Sequence, residues 1–400
     1  MKVVHINMSR RAGGASIAAS RHSEAMCKAG IDSSMLTLED LMQGRGLRSA
    51  LYRLGRWLRF KINGLYGTFG SFGFMRSGFR VDIHPLVKDA DVVYLHWVDD
   101  GLLSLGSLGK LLDGGKKVYW FMHDMLPITG GCHYSMGCEK YRDACRQCPL
   151  VKRKWLPDIV TGSFRRKEKL YLEHPNLHFL APSKWLCECG AASSLCRGHQ
   201  VSHCPNVIDT SVFSPGGKAG AKSFYFGEES RKVILFGAEV VNNPYKGWNY
   251  MQDCLSALDP SRYVCLVLGQ KNESIDNSTP IRTVFTGRLS STEDIVRVYR
   301  ASDVFVTPTL ADNFPNVLLE ALSCGVPCVG FDSGGVKDLV VHSRTGYLSR
   351  RCDPADLKAG VEWVLGDEAR YASLSAEARR YVLESFSYGH IKEIHKELAQ

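Results

Sequence analysis

Asp312 and Glu320 stand eight residues apart, the first before and the second within the apolar run Val317-Leu318-Leu319-Glu320-Ala321-Leu322. Between them, Phe314-Pro315-Asn316 reads as a helix start, because proline is tolerated in a first helical turn. The backbone N–H groups of such a start, around Phe314 to Leu318, point at whatever Asp312 faces and favour an anion. Glu320 follows a little over one turn into the helix. Gly325-Val326-Pro327 ends it, and Cys328–Phe331 is a short strand leading to Gly334-Gly335. Acceptors for hydroxyls beside donors for phosphate suit a sugar joined to a diphosphate. An ordinary strand–helix–strand unit with surface acids has the same outline.

Four other groups have chemistry in reach. Gly13-Gly14, after the strand Val3–Asn7, allows close backbone approach to a phosphate or acceptor, or makes a plain turn. Ser16 and Ile17 break the dinucleotide pattern Gly-x-Gly-x-x-Gly, which counts against a nicotinamide dehydrogenase. His123-Asp124 ends the strand Lys117–His123, and the carboxyl ends of buried parallel strands face a cleft; a lone histidine there is also a common structural residue. Lys246-Gly247 follows the strand end Phe236-Gly237-Ala238 and is either a cation in the same cleft or a solvated lysine in a turn. Cys132, Cys138, Cys145 and Cys148, with His133 among them, allow a structural zinc knuckle, free thiols or redox disulfides; only Cys145-x-x-Cys148 has the usual short ligand spacing.

These residues need a scaffold of parallel strands. Near-continuous apolar runs at Asp91–Trp97 and Lys117–His123, with Val3–Asn7, residues 33–38 and a helix over Ala15–Ala29, predict one doubly wound sheet. Lys232–Gly237, Tyr263–Gly269, Thr283–Gly287 and Asp303–Pro308, with a helix over 292–300, predict a second. The expected hinge lies between Pro205–Asp209 and about residue 232, and a last helix is expected over 388–399. The fold class is therefore α/β, with domains over 1–207 and 208–384 and a terminal segment over 385–400.

The 400 residues, 44% apolar and 23% charged, fit two or three globular domains. No run of about 18 apolar residues predicts a spanning helix. Met1–Asn7 turns polar too early for a signal peptide, so a cytosolic protein is expected. Fourteen cysteines in a reducing compartment are thiols or metal ligands before they are disulfides. Residues 1–210 carry a balance of +11 and residues 211–400 one of −2. That excess suits an anionic membrane or nucleic acid; no recognition-helix, RNP or zinc-finger spacing supports nucleic acid. Within it, residues 47–80 mix Arg48, Arg53, Arg56, Arg59, Lys61, Arg76 and Arg80 with leucines and aromatic residues. This is a membrane-surface segment or a core-packed helix with a cationic face.

The 312–335 block resembles the carboxylate-x7-carboxylate signature of family 4 glycosyltransferases, retaining enzymes of the GT-B fold. The order of the Gly13 loop, His123, Pro182-Ser183, Pro205-Asn206 and Lys246-Gly247 extends that resemblance over most of the chain. It implies two Rossmann-like domains facing a cleft, the first for the acceptor and the second for the donor, with the last helix returning to the first. It implies that Asp312 contacts the donor sugar, Glu320 the ribose, and Lys246, Gly13, Gly14 and the backbone of Phe314, Asn316, Val317 and Leu318 the diphosphate. His123 would hydrogen-bond the sugar. Family members have Glu where Asp312 stands and often an Arg where Ala238 stands; Arg288 is the candidate replacement. No cofactor is expected for catalysis. Residues 123–149 resemble a branch that builds bacterial exopolysaccharides such as colanic acid. This implies a saccharide acceptor, lipid-linked, and a protein peripheral to the inner face of the cytoplasmic membrane. A nucleotide-sugar 2-epimerase and a non-catalytic nucleotide-sugar-binding protein are the rival readings.

Overall fold

The computed structural model describes residues 1–43, 46–68, 72–241, 243–270 and 279–393. The chain divides into two compact units. The first holds Met1–Pro205 with residues 391–393, and the second holds Asn206–His390. Each is built on one sheet, six-stranded and parallel throughout.

In the first unit the strands are β1 (Lys2–Asn7), β2 (Asp32–Thr37), β3 (Val92–Leu95), β4 (Lys117–Phe121), β5 (Leu177–Ala181) and β6 (Val201–His203). Their order is β2-β1-β3-β4-β5-β6. Chain direction reverses across the sheet between β1 and β3, so the loops after these strands form the switch point where such folds bind ligands. The main apolar core lies on one face, where Val4, Ile6, Leu36, Val93, Leu95, Val118, Trp120 and Phe179 are in register and buried; Val3, Tyr94, Tyr119, Phe121 and Leu180 are buried on the other. Fully buried strands need no polar alternation, which is why β3 and β4 read as unbroken apolar runs.

The second unit has β7 (Lys232–Val240), β8 (Tyr263–Gln270), β9 (Thr283–Phe285), β10 (Val304–Thr307), β11 (Cys328–Phe331) and β12 (Gly346–Ser349), ordered β12-β11-β10-β7-β8-β9. Here the switch point falls between β7 and β10. The helix Thr292–Ala301 lies between β9 and β10, its Ser291 side chain accepting from the Asp294 N–H at 3.5 Å.

Strands β3 and β4 end two residues short of the expected Trp97 and His123, leaving His96, Trp97 and His123 in the loops beyond. Strands β5, β6 and β12 were not expected; each is only three to five residues long, too short for a period to show. Of the expected last helix, Tyr388–His390 is a 3₁₀ turn, residues 391–393 are helical, and positions 394–399 lie outside the described residues.

Candidate functional site

Three loops at the carboxyl ends of β7, β10 and β11 are tied to one another in the second unit. The Lys246 ammonium donates to Asp312 Oδ2 at 2.6 Å, with the aspartate buried and the lysine half-buried. The turn carrying Lys246 is held against the loop after β10. The Leu310 N–H donates to the Tyr245 carbonyl at 2.7 Å, and Thr309 Oγ1 donates to the same oxygen at 2.8 Å. Gly247 makes that approach feasible: its φ is +71°, and a Cβ there would stand 2.0 Å from the Pro308 carbonyl oxygen. From the other side, the Gly335 N–H donates to the Asp312 carbonyl at 3.0 Å. Gly334, at φ +55°, leaves no room for a Cβ, which would stand 2.2 Å from that same carbonyl oxygen. Ser333 Oγ donates to the Thr309 carbonyl at 2.6 Å. The Asp312 backbone is thus gripped on both flanks.

The helix starts where the sequence placed it, with Pro315 as N-cap of Asn316–Ser323. Its first turn is positive by construction. Leu318 contributes nothing outward: its side chain is in the core and its N–H donates to the Pro315 carbonyl at 3.1 Å. That narrows the expected donors to the turn before it. Phe314 is buried against Phe386, ring centres 5.5 Å apart. Asn206 anchors the linker to this turn through Asn316 Oδ1 at 3.2 Å. Val317 is half-buried. Glu320 is buried, and Tyr299 donates its hydroxyl to Glu320 Oε2 at 2.6 Å. Tyr299 gave no sequence signal, because its contact crosses between two helices. Arg288 is exposed beyond β9, at the sheet edge two strands from β7. Ala238 lies within β7, which runs on to Val240.

In the first unit Gly13, at φ +85°, caps the helix Gly14–Lys28, and its carbonyl accepts from the Ser16 and Ile17 N–H groups. Asn7 ties the loop down through Ser16 Oγ at 2.9 Å and accepts from the Trp97 N–H at 3.0 Å. His123 is bonded through Nε2 to His96 Nδ1 at 2.9 Å, and burial depresses it to about 4. It is therefore neutral at physiological pH. Its neighbour Asp124 is the charged one. It pairs with His133 Nδ1 at 2.6 Å, accepts from the Trp97 indole at 3.2 Å, and is held below the usual carboxylate range chiefly by His133 despite its burial. His133 is raised to about 10: its aspartate partners Asp124 and Asp99 overcome the burial that opposes charge. The roles of His96 and Asp124 were missed, although both lie just past strand ends; His133, twelve residues beyond β4, was read only as a possible zinc ligand, and its pairing with Asp124 had no sequence signal.

Cys132, Cys138, Cys145 and Cys148 converge on one cavity of about 20 Å³. Burial pushes Cys132 up to about 12 and Cys145 up to about 11, so both are neutral thiols. The Gly130 N–H donates to Cys145 Sγ at 3.3 Å. Among the described residues, which include all fourteen cysteines, no disulfide is present, and no three His, Cys, Asp or Glu side chains stand in a metal-holding arrangement. An Asp-x-Asp spacing, Asp89-Ala90-Asp91, precedes β3 at the amino end of the sheet, where both carboxylates bond Lys2.

The basic aromatic segment is the helix Gly46–Tyr66. Tyr52, Ile62 and Tyr66 pack on the first core. Arg59 and Arg56 bond Asp100 at 3.1 and 3.2 Å. Leu51, Leu54, Leu58 and Leu65 form an exposed row at helical spacing beside the packed face, and Trp57 and Phe60 are exposed elsewhere on the helix. Phe69 lies outside the described residues. Among the described residues no helix is long and apolar enough to cross a membrane.

Two parallel six-stranded sheets, each with its own helices and a ligand-type switch point, define an α/β fold of the GT-B type. Residues 226–381, which hold the Lys246–Asp312 cluster, match the family model described as Glycosyl transferases group 1. The chain is 26% identical over 196 residues to N-acetyl-alpha-D-glucosaminyl L-malate synthase of Bacillus anthracis, covering 45% of this chain and 48% of that protein. It is 27% identical over 185 residues to GDP-mannose-dependent alpha-mannosyltransferase of Corynebacterium glutamicum, covering 45% and 43%. The chain thus spans about half the length of the curated relatives it matches. Its backbone is similar to that of Anabaena Alr3699/HepE, crystallised with UDP and glucose, with a TM-score of 0.63, 14% identity and all of both chains covered. At that identity the likeness concerns the fold.

Proposed function

We propose that this chain is a family 4-like retaining glycosyltransferase that moves a sugar from a nucleotide diphosphate sugar to a saccharide acceptor. The observation that carries the reading is the Lys246–Asp312 pair at the switch point of the second unit, beside the helix start at Pro315. A donor diphosphate would replace Asp312 as the partner of Lys246 and draw on the positive first turn. Asp312, released, would accept from the sugar hydroxyls, and Glu320, held by Tyr299, from the ribose. His123, neutral, would hydrogen-bond the sugar. In the transfer the acceptor hydroxyl oxygen bonds to the anomeric carbon as the bond from that carbon to the phosphate oxygen breaks. The diphosphate leaves with the electron pair and takes the acceptor proton, so no separate base is needed. Attack on the face that the diphosphate leaves retains configuration.

The exposed leucine row and the cationic first half of the chain favour a lipid-linked acceptor at the inner face of the cytoplasmic membrane, as in exopolysaccharide synthesis of the colanic-acid kind. The test is incubation with a panel of UDP- and GDP-sugars and bacterial lipid-linked oligosaccharides, for wild type and Glu320→Ala. Acceptor-dependent release of nucleoside diphosphate with labelled glycolipid, lost in the variant, is expected. Donor turnover without acceptor would point to an epimerase, and donor binding without turnover to a binding protein; either would overturn the reading.

A further inference from the structure

The first sheet carries a line of imidazoles that leads to His123. His5 lies on β1 opposite Tyr94 of β3, and His96 is one pleat further along. Tyr94 in turn lies opposite Tyr119 of β4, with His123 two pleats on from it. The three rings therefore share one face of the sheet and step diagonally to the carboxyl end. His5 Nδ1 meets His96 Nε2 at 2.8 Å, and His96 Nδ1 meets His123 Nε2 at 2.9 Å. Adjacent rings are inclined by only 28°. His22, on the helix Gly14–Lys28, closes the row from above, 5.4 Å from the His5 ring and 6.3 Å from the His96 ring. His5, His22 and His96 are buried.

Burial keeps the two rings nearest the carboxyl end, His96 and His123, uncharged. It holds His96 well below the ordinary imidazole range, with the neighbouring histidines adding to the effect, and it holds His123 at about 4. A neutral imidazole has one N–H and one lone pair. Each N···N contact in the line needs a single proton, so the three rings must point the same way. Either every Nδ1 carries the proton, and His123 presents a donor at its outer nitrogen, or every Nε2 carries it, and His123 presents an acceptor. A ring out of step would leave two lone pairs or two protons facing each other in the core, which is costly.

We infer that His96 and His5 are positioning residues that lock His123 in one tautomer and one ring plane, and so fix whether its Nδ1 donates to or accepts from the bound sugar. The link to sugar rests on the function proposed above; the lock itself does not. The line would present a hydrogen bond of fixed sense without adding a charge near the leaving diphosphate.

The test is nitrogen-15 NMR of the full chain with labelled histidine. Wild type is expected to show nitrogen–nitrogen couplings across both His5–His96 and His96–His123 bonds. His123 is expected to show one donor and one acceptor ring nitrogen, unchanged between about pH 6 and 8. In His96→Phe the His123 nitrogens should move to averaged positions, and kcat should fall about tenfold with the donor KM within about twofold. His96→Gln, which keeps a polar group in line, should recover part of the loss. Absence of both couplings in wild type, or a His123 tautomer unchanged in both variants, would overturn the inference whatever the enzyme's activity. Full activity in His123→Ala would instead remove His123 from the proposed reaction.

Discussion

Gly247 and Gly217 offer a matched pair for testing whether the loop contacts build the site. Both cap a helix from the left-handed region, Gly217 at φ 64°, ψ 21° before Lys218–Phe226 and Gly247 at φ 71°, ψ 33° before Trp248–Ala257. They differ in surroundings. A Cβ on Gly217 meets nothing within 4 Å, whereas one on Gly247 would stand 2.0 Å from the Pro308 carbonyl oxygen. Gly217→Ala should therefore cost only the left-handed strain, about 1–2 kcal/mol. Gly247→Ala carries the same strain and must push the two loops apart. It should lose the Leu310 and Thr309 bonds to the Tyr245 carbonyl, at about 0.5–1.5 kcal/mol each. The extra cost is about 1–3 kcal/mol, read as the difference in urea unfolding between the two variants at equal slope. The displacement carries Lys246 away from Asp312, so kcat/KM should fall about 100-fold in Gly247→Ala and stay near wild type in Gly217→Ala. Equal destabilisation by both substitutions, with activity unchanged, would refute the argument that this contact positions the lysine.

Tyr299→Phe keeps the ring packing but removes the donor to Glu320 Oε2; a loss of about 1.5–3 kcal/mol is expected for a hydrogen bond to a charged group. In steady-state kinetics it should raise the donor KM with little change in kcat. A double-mutant cycle on Lys246→Met and Asp312→Asn should show Lys246→Met alone costing more stability than the pair together, since it strands the buried Asp312 carboxylate. His133→Gln should destabilise the first unit in a pH-dependent way. The raised pKa of His133, about 10 against an ordinary 6.5, means its stabilisation is complete below 6.5 and lost as pH rises through about 10. Asp124, held low, adds stability above the ordinary carboxylate value and loses it as pH falls through its folded value. Thermal melts of wild type and variant should therefore differ most between these limits and converge above about pH 10.

The parts of the site legible in the sequence are those whose geometry is local. Asp312, Pro315 and Glu320 lie on one loop and one helix, so spacing alone placed them. Lys246 was readable through its resemblance and its turn, but its partner was not, because 66 residues separate it from Asp312. The same holds for Gly247 against Pro308, Gly334 against Asp312, and Tyr299 against Glu320: each is a contact between elements that only the finished sheet brings together. The fold was legible where strands are buried on both faces, as at β3, β4 and β8. It was not at β6 or β12, whose three or four residues carry no period. The four cysteines were legible as a cluster, and they do share a cavity. Their thiol state depends on burial, which spacing does not report. The histidine line was hidden because His5 sits on one strand and His96 and His123 just past the ends of two others, at positions that mean nothing until the register is known.

The central claim is that the loops around Lys246 and Asp312 receive a nucleoside diphosphate. Isothermal titration of UDP and of GDP into wild type, Lys246→Met and Glu320→Ala tests it without any need for an acceptor. One of the two nucleotides should bind wild type, and each substitution should weaken it by about 10–100-fold, the loss of one charge-assisted hydrogen bond. Binding unchanged in both variants, or no binding of either nucleotide to wild type, would contradict the account.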